Sequence, residues 1–119
     1  MPASKTILLV DGEGGLQRLR AMLLSGRGFD AELAKSLEDG FQKIRQRQYQ
    51  LVVVDVKHYA QAALDFCEEV KRECPDLKVA LMADHTIYFP ANTCPDEIIR
   101  KQDGPEAFLN QVEGMLHAS

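Results

Sequence analysis

Two aspartates and a lysine stand out in the chain of 119 residues, each at the end of a short apolar run. Ile7 to Val10 runs into Asp11, Leu51 to Val54 into Asp55, and Ile98-Ile99 into Arg100-Lys101. Apolar runs of this length without polar alternation read as buried parallel strands, and the chemistry of open α/β sheets gathers at the carboxyl ends of their strands. On neighbouring strands about 4.8 Å apart, the carboxylates of Asp11 and Asp55 demand a cation, which a divalent metal or a lysine ammonium can supply. An aspartate so placed can accept a phosphoryl group while a metal and a lysine hold the oxygens. A single strand-end acid often does no more than cap a loop; two acids and a lysine at three strand ends favour a site.

The elements that must position these residues are legible as alternating patterns. Beside the three runs above, Ala31 to Ala34 and Val79 to Met82 read as strands. Leu16, Leu19 and Leu23 form a stripe at helical spacing that Gly26 and Gly28 bring to an end. Ser36 offers an N-cap with Asp39 three residues later, ahead of Phe41 and Ile44. Ala63, Phe66 and Val70 mark a helix ending before Pro75, and Gly104-Pro105 opens a last helix with Phe108, Val112 and Met115 facing inward. Strands alternating with helices at this spacing give right-handed crossovers onto one sheet: a single domain over 1–119, α/β, doubly wound, with five parallel strands. The stretch from Asp84 to Asp96, where a fourth helix is due, holds Pro90 and Pro95 and is expected to be short or irregular, with Ile87, Tyr88 and Phe89 folding down over the sheet or offering a docking patch.

Composition narrows the function classes. The chain is 45% hydrophobic and 27% charged with net charge −4, so no general attraction to nucleic acid or to an anionic membrane is expected, and partners should be proteins. The N-terminal apolar run is too short for a signal peptide or membrane span, which places the chain in the cytoplasm as an expectation. Cys67, Cys74 and Cys94 lack CxxC spacing and read as reduced, partly buried thiols, Cys67 and Cys74 being small core fillers on one helix face. His58, His85 and His117 are scattered and suggest no shared metal. Gly12-Glu13-Gly14-Gly15 hints at a nucleotide loop, but the third glycine of GxGxxG would fall at Gln17, leaving a small nucleotide-binding enzyme as a remote alternative.

With these residues in place the chain resembles the receiver domain of bacterial response regulators, over nearly its whole length. Thr6 to Asp11 is similar to the family's first strand with its acidic end, Ala34 to Phe41 to its second crossover, and Tyr49 to Asp55 to the strand ending in the phosphoacceptor. Val79 to Ala83 and Ile99 to Lys101 are similar to the fourth and fifth strands, the last with its phosphate-contacting lysine. The resemblance implies a flavodoxin-like sheet of order 2-1-3-4-5, a histidine kinase or other signalling protein as partner, magnesium as cofactor, and phosphoryl transfer to Asp55 in a two-component phosphorelay. It implies no enzyme. A homodimer is a candidate assembly.

The chain departs from the family pattern at defined places. Gly12 stands where a second metal-ligating acid is usual, with Glu13 one place later, so the metal set becomes Asp11, Asp55 and Glu13. Met82 replaces the hydroxyl residue that bonds the phosphoryl group. Ile98 stands for the switch aromatic and Gln102 for the proline after the lysine. Lys57, in the loop after Asp55, brings a new cation; Asp11 and Asp55 against Lys57 and Lys101 sum to zero, which disfavours magnesium and makes Lys57 a candidate replacement for it. The expected function is a receiver-type signalling domain acting through protein contacts with impaired phospho-switching; the alternative is an ordinary phosphoacceptor that needs a kinase and magnesium.

Overall fold

Why five short apolar runs become one sheet is visible in the computed structural model, which describes residues 5–10, 14–58 and 60–117. The strands are β1 (Thr6–Val10), β2 (Asp30–Ala34), β3 (Leu51–Val56), β4 (Lys78–Ala83) and β5 (Glu97–Arg100), all parallel, in the order β2-β1-β3-β4-β5. All six residues of β3 are buried, as a central strand covered on both faces requires. Its side chains alternate between two cores. Val52, Val54 and Val56 pack with Leu8 and Val10 beneath α2 (Leu37–Gln46) and α3 (Ala60–Glu73), while Leu51 and Val53 join Ile7 and Leu9 beneath α1 (Gly14–Gly26) and α4 (Gly104–His117). The expected inward residues Ala63, Phe66 and Val70 on α3, and Phe108, Val112 and Met115 on α4, are all buried.

Local signals act as their chemistry dictates. The Ser36 hydroxyl accepts from the Asp39 amide at 3.1 Å while the Asp39 carboxylate accepts from the Lys35 amide at 2.9 Å, so two donors at the start of α2 are satisfied reciprocally. After α1, Gly28 takes φ +89°, and the Phe29 and Gly28 amides return to the carbonyls of Leu24 and Ser25, a turn that favours glycine. At Gly40, a Cβ would come within 3.0 Å of Val10, so α2 lies close against β1 only because that position has no side chain.

One helix face departs from the expectation. α1 forms where the stripe of Leu16, Leu19 and Leu23 predicts it, yet Leu16 and Leu19 are about half exposed and Met22 is 70% exposed. The buried positions are Gln17 and Leu24, with Arg20 between them. The stripe facing the sheet is thus 17, 20 and 24, one residue along from the apolar one.

Between β4 and β5 the chain runs from Asp84 to Asp96 without helix, as the two prolines require. This strap replaces the missing helix as a cover. Ile87 is buried and Phe89 packs on the α2/α3 core, whereas Tyr88 points away and is largely exposed. Arg100 holds the strap's start, donating to the carbonyls of Asp84 and Ile87 at 2.9 and 3.1 Å and lying over the Phe89 ring. Asp96 fixes its end: its carboxylate accepts from the Val79 amide at 2.8 Å and from Lys71 at 2.7 Å. Partial burial works to raise the Asp96 carboxyl, but Lys71 and the amide outweigh it and hold the group below its ordinary value.

In urea unfolding, Leu24→Ala should cost about 2–5 kcal/mol, whereas Leu19→Gln should stay within about 0.5 kcal/mol. Asp96→Ala should cost about 1 kcal/mol near pH 7, the ion pair being discounted for its exposure. Because the folded-state carboxyl lies below the unfolded value near about 3.9, that difference should be complete above that pH and should fade as pH falls through the lower folded value.

Candidate functional site

Asp55 is the fifth residue of β3 and only 6% exposed. Strand alternation decides where it points: Val54 and Val56 face the α2/α3 core, so Asp55, like Val53, faces the α1/α4 side. Its partner on β4 is Met82, itself buried in that core and paired in turn with Ile99 of β5. On the same side α1 presents Gln17 and Arg20. The Arg20 Nη1 donates to Asp55 Oδ2 at 2.7 Å and to Gln17 Oε1 at 2.9 Å. From the other flank Lys101, the first residue of a 3-10 turn (Lys101–Asp103) after β5, donates its Nζ to Asp55 Oδ1 at 2.5 Å and to the Val56 carbonyl at 3.2 Å. Each carboxylate oxygen therefore has its own cation.

The arrangement is enclosed as well as paired. The side chains of Asp55, Arg20 and Lys101 are 5%, 11% and 29% exposed. A buried carboxylate is tolerated when paired and hydrogen-bonded, and a guanidinium, planar and weakly hydrated, suits the more buried flank better than an ammonium would. Gln17 accepts a second bond from Arg20, which orients the guanidinium on Asp55.

The expected site residues divide. Asp55 and Lys101 are brought together. Lys57 lies exposed in the loop after β3. Asp11 and Glu13 lie outside the described residues, although the β1–β3 register pairs Val10 with Val54, one step before Asp11 and Asp55 in the sequence. Arg20 and Gln17 were not anticipated. Their signal is their spacing: 17, 20 and 24 share one face of a helix, and Leu24 marks that face as buried.

The described residues do not fit a divalent metal ion. The donor set supplies one carboxylate, both of whose oxygens are bonded to cations, and no group of three or more His, Cys, Asp or Glu side chains among the described residues is arranged to hold an ion. Beside Asp55, the Met82 thioether donates no hydrogen bond to an incoming anion. His58, His85 and His117 are all exposed and far apart in sequence. A groove of about 800 Å³ lined by Lys5, Tyr49, Lys78 and Met115, and one of about 510 Å³ between α2 and α3, both lack every residue of the Asp55 cluster. No helix among the described residues is long and apolar enough to cross a membrane.

Comparison with known proteins follows the same line. No protein-family model matches the chain. The transcriptional regulatory protein GlrR of Escherichia coli is 24% identical over 105 residues, covering 88% of this chain and 22% of the relative, so the chain spans about a fifth of that protein's length. Among solved structures, HP1043, an orphan response regulator of Helicobacter pylori, is 25% identical, with a TM-score of 0.79 over 96% of this chain and 98% of that one. A chain of the complex of histidine kinase ThkA with response regulator TrrA is 24% identical, with a TM-score of 0.81 over 94% and 98% of the two chains. TrrA of Thermotoga maritima, also solved with Mg²⁺-BeF, is 22% identical in that structure, with a TM-score of 0.77 over 94% and 99%. The sheet order matches the CheY-like flavodoxin fold of these structures, and the chain is similar along most of its length to the receiver domains of response regulators.

Proposed function

We propose that this chain is a receiver domain whose phosphoacceptor position is neutralised from within, so that it signals through protein contacts and not through a magnesium-dependent aspartyl-phosphate. The observation that carries this reading is the double engagement of Asp55, by Arg20 at 2.7 Å and Lys101 at 2.5 Å, in a buried setting. Arg20 takes the part that a divalent ion plays at a phosphoacceptor, with the difference that it is covalently attached to α1 and cannot dissociate. Phosphoryl transfer needs an accessible carboxylate oxygen and donors placed around the transferred group. Here Arg20 sits on Oδ2 of Asp55 in the place of a metal, Lys101 bonds Oδ1 as the resemblance expects of the phosphate-contacting lysine, and Met82 and Gly12 offer neither a hydroxyl nor a ligand.

A protein partner has a surface to use. Leu16, Leu19 and Met22 form an exposed apolar stripe on α1, the helix that also carries Arg20. TrrA is seen bound to a histidine kinase, and a kinase or other signalling protein of that class is the partner we assign to this chain. Such a partner, by shifting α1, would act on the Arg20–Asp55 pair directly. A cytoplasmic setting for this acidic chain is part of the same reading.

Two measurements test this reading. With acetyl phosphate and about 10 mM magnesium, intact-mass spectrometry should find no stable phosphoryl adduct, and amide spectra should show no saturable shift near Asp55; rapid labelling of Asp55 would make the chain an ordinary phosphoacceptor. In magnesium titrations, Arg20→Gln should raise affinity roughly tenfold or more by freeing a carboxylate oxygen, while Lys57→Asn should leave it within about twofold. The opposite ranking would transfer the metal-replacing role to Lys57.

A further inference from the structure

We propose that Cys67 and Cys94 form a site of reversible oxidative modification, closing an intrachain disulfide that ties the strap to α3 when the protein meets a hydroperoxide. Cys67 is fully buried on α3 and Cys94 is half-buried in the strap. Both are free thiols, and the Cys67 thiol donates to Cys94 Sγ at 2.9 Å. That separation is well inside the roughly 3.5–4 Å of ordinary nonbonded contacts and within an ångström of the about 2.05 Å disulfide bond. Closing the bond needs only a small shift, and the irregular strap is the element able to give it. Cys74, just past the end of α3, takes no part in this contact.

The two sulfurs divide the work by exposure. Cys94 is the one a small oxidant reaches. Burial first, and the bond to Cys94 second, push the Cys67 thiol above its ordinary value, so Cys67 is the less reactive of the two toward the oxidant and enters only through its contact with Cys94. The Cys94 thiolate attacks one oxygen of hydrogen peroxide, the O–O bond breaks, and Cys94 becomes a sulfenic acid as hydroxide leaves and takes up the thiol's proton to become water. Cys67 sulfur then attacks the Cys94 sulfur; the S–S bond forms, the S–O bond breaks, and the departing hydroxide leaves as water with the Cys67 proton. Two thiols are oxidised by two electrons, one peroxide is reduced, and two waters result. The bond links residues 27 apart, enclosing β4 and most of the strap. The strap's start is already gripped by Arg100, the neighbour in sequence of Lys101.

Trypsin separates the three cysteines onto peptides 58–71, 73–78 and 79–100. After treatment of the chain with a few equivalents of hydrogen peroxide, we expect an intact-mass loss of about 2 Da, linkage of peptide 58–71 to peptide 79–100, and a rise in Tm of roughly 5 °C or more that dithiothreitol reverses. Cys74→Ser should retain the linkage. Cys94→Ser, and Cys67→Ala where it folds, should abolish it. Three alkylatable thiols after peroxide, linkage through Cys74, or a Cys94 that proceeds to sulfinic acid without cross-linking would each overturn the proposal.

Discussion

The carboxylate of Asp55 is the constraint around which the upper edge of this sheet is built. A lone ionised carboxylate on the central strand would carry a desolvation cost of several kcal/mol, so cations must come to it. The pleat of β3 turns Asp55 toward α1 and α4, which limits the cation's source to elements on that side or to a strand end nearby. Arg20 and Lys101 come from those two places. The arrangement has a consequence for α1. With Gln17 and Arg20 directed at the sheet, Leu16 and Leu19 are rotated outward, so the charge pair and the exposed apolar stripe are two results of one helix rotation.

Much of this was legible in the sequence. Continuous apolar runs marked the buried parallel strands, the alternation of strands and helices gave the doubly wound sheet, Ser36 and Asp39 marked a helix start, and Pro90 and Pro95 ruled out a helix in the strap. Asp55 and Lys101 followed from their places at strand ends. What the sequence concealed was rotation and long-range contact. Helical period alone reads Leu16, Leu19 and Leu23 as the packed face of α1; Leu23 does pack against the core, but Leu16 and Leu19 do not, because the period does not register that an acid waits above one end of the helix. Arg20 looks like a solvated surface residue for the same reason. Lys57 drew notice by being adjacent to Asp55 in sequence, yet the loop after β3 leaves it exposed, while a residue 35 positions away supplies the guanidinium. The approach of Cys67 to Cys94 depends on how an irregular segment folds over α3, for which no periodicity exists to read.

Fixing the cation by covalent attachment changes what a receiver fold can sense. Where a dissociable metal would make the site responsive to metal and phosphodonor, the tethered guanidinium would, on the proposed reading, make it responsive to whatever moves α1. On the proposed reading, the conformational variable is then mechanical, set by contacts on the Leu16, Leu19 and Met22 stripe. On the proposals above, the strap is a second input on the opposite face of the sheet, through Arg100 and the thiol pair. Both inputs converge on residues that follow one another at the end of β5, Arg100 and Lys101.

The account rests on Arg20 and Asp55 stabilising each other inside the fold. A double-mutant cycle in urea unfolding, comparing wild type, Arg20→Met, Asp55→Asn and the double variant, measures that coupling with no phosphodonor, metal or partner present. A favourable coupling of about 2 kcal/mol or more is predicted for a pair this enclosed. A coupling below about 0.5 kcal/mol, the level of an exposed surface pair, would contradict it.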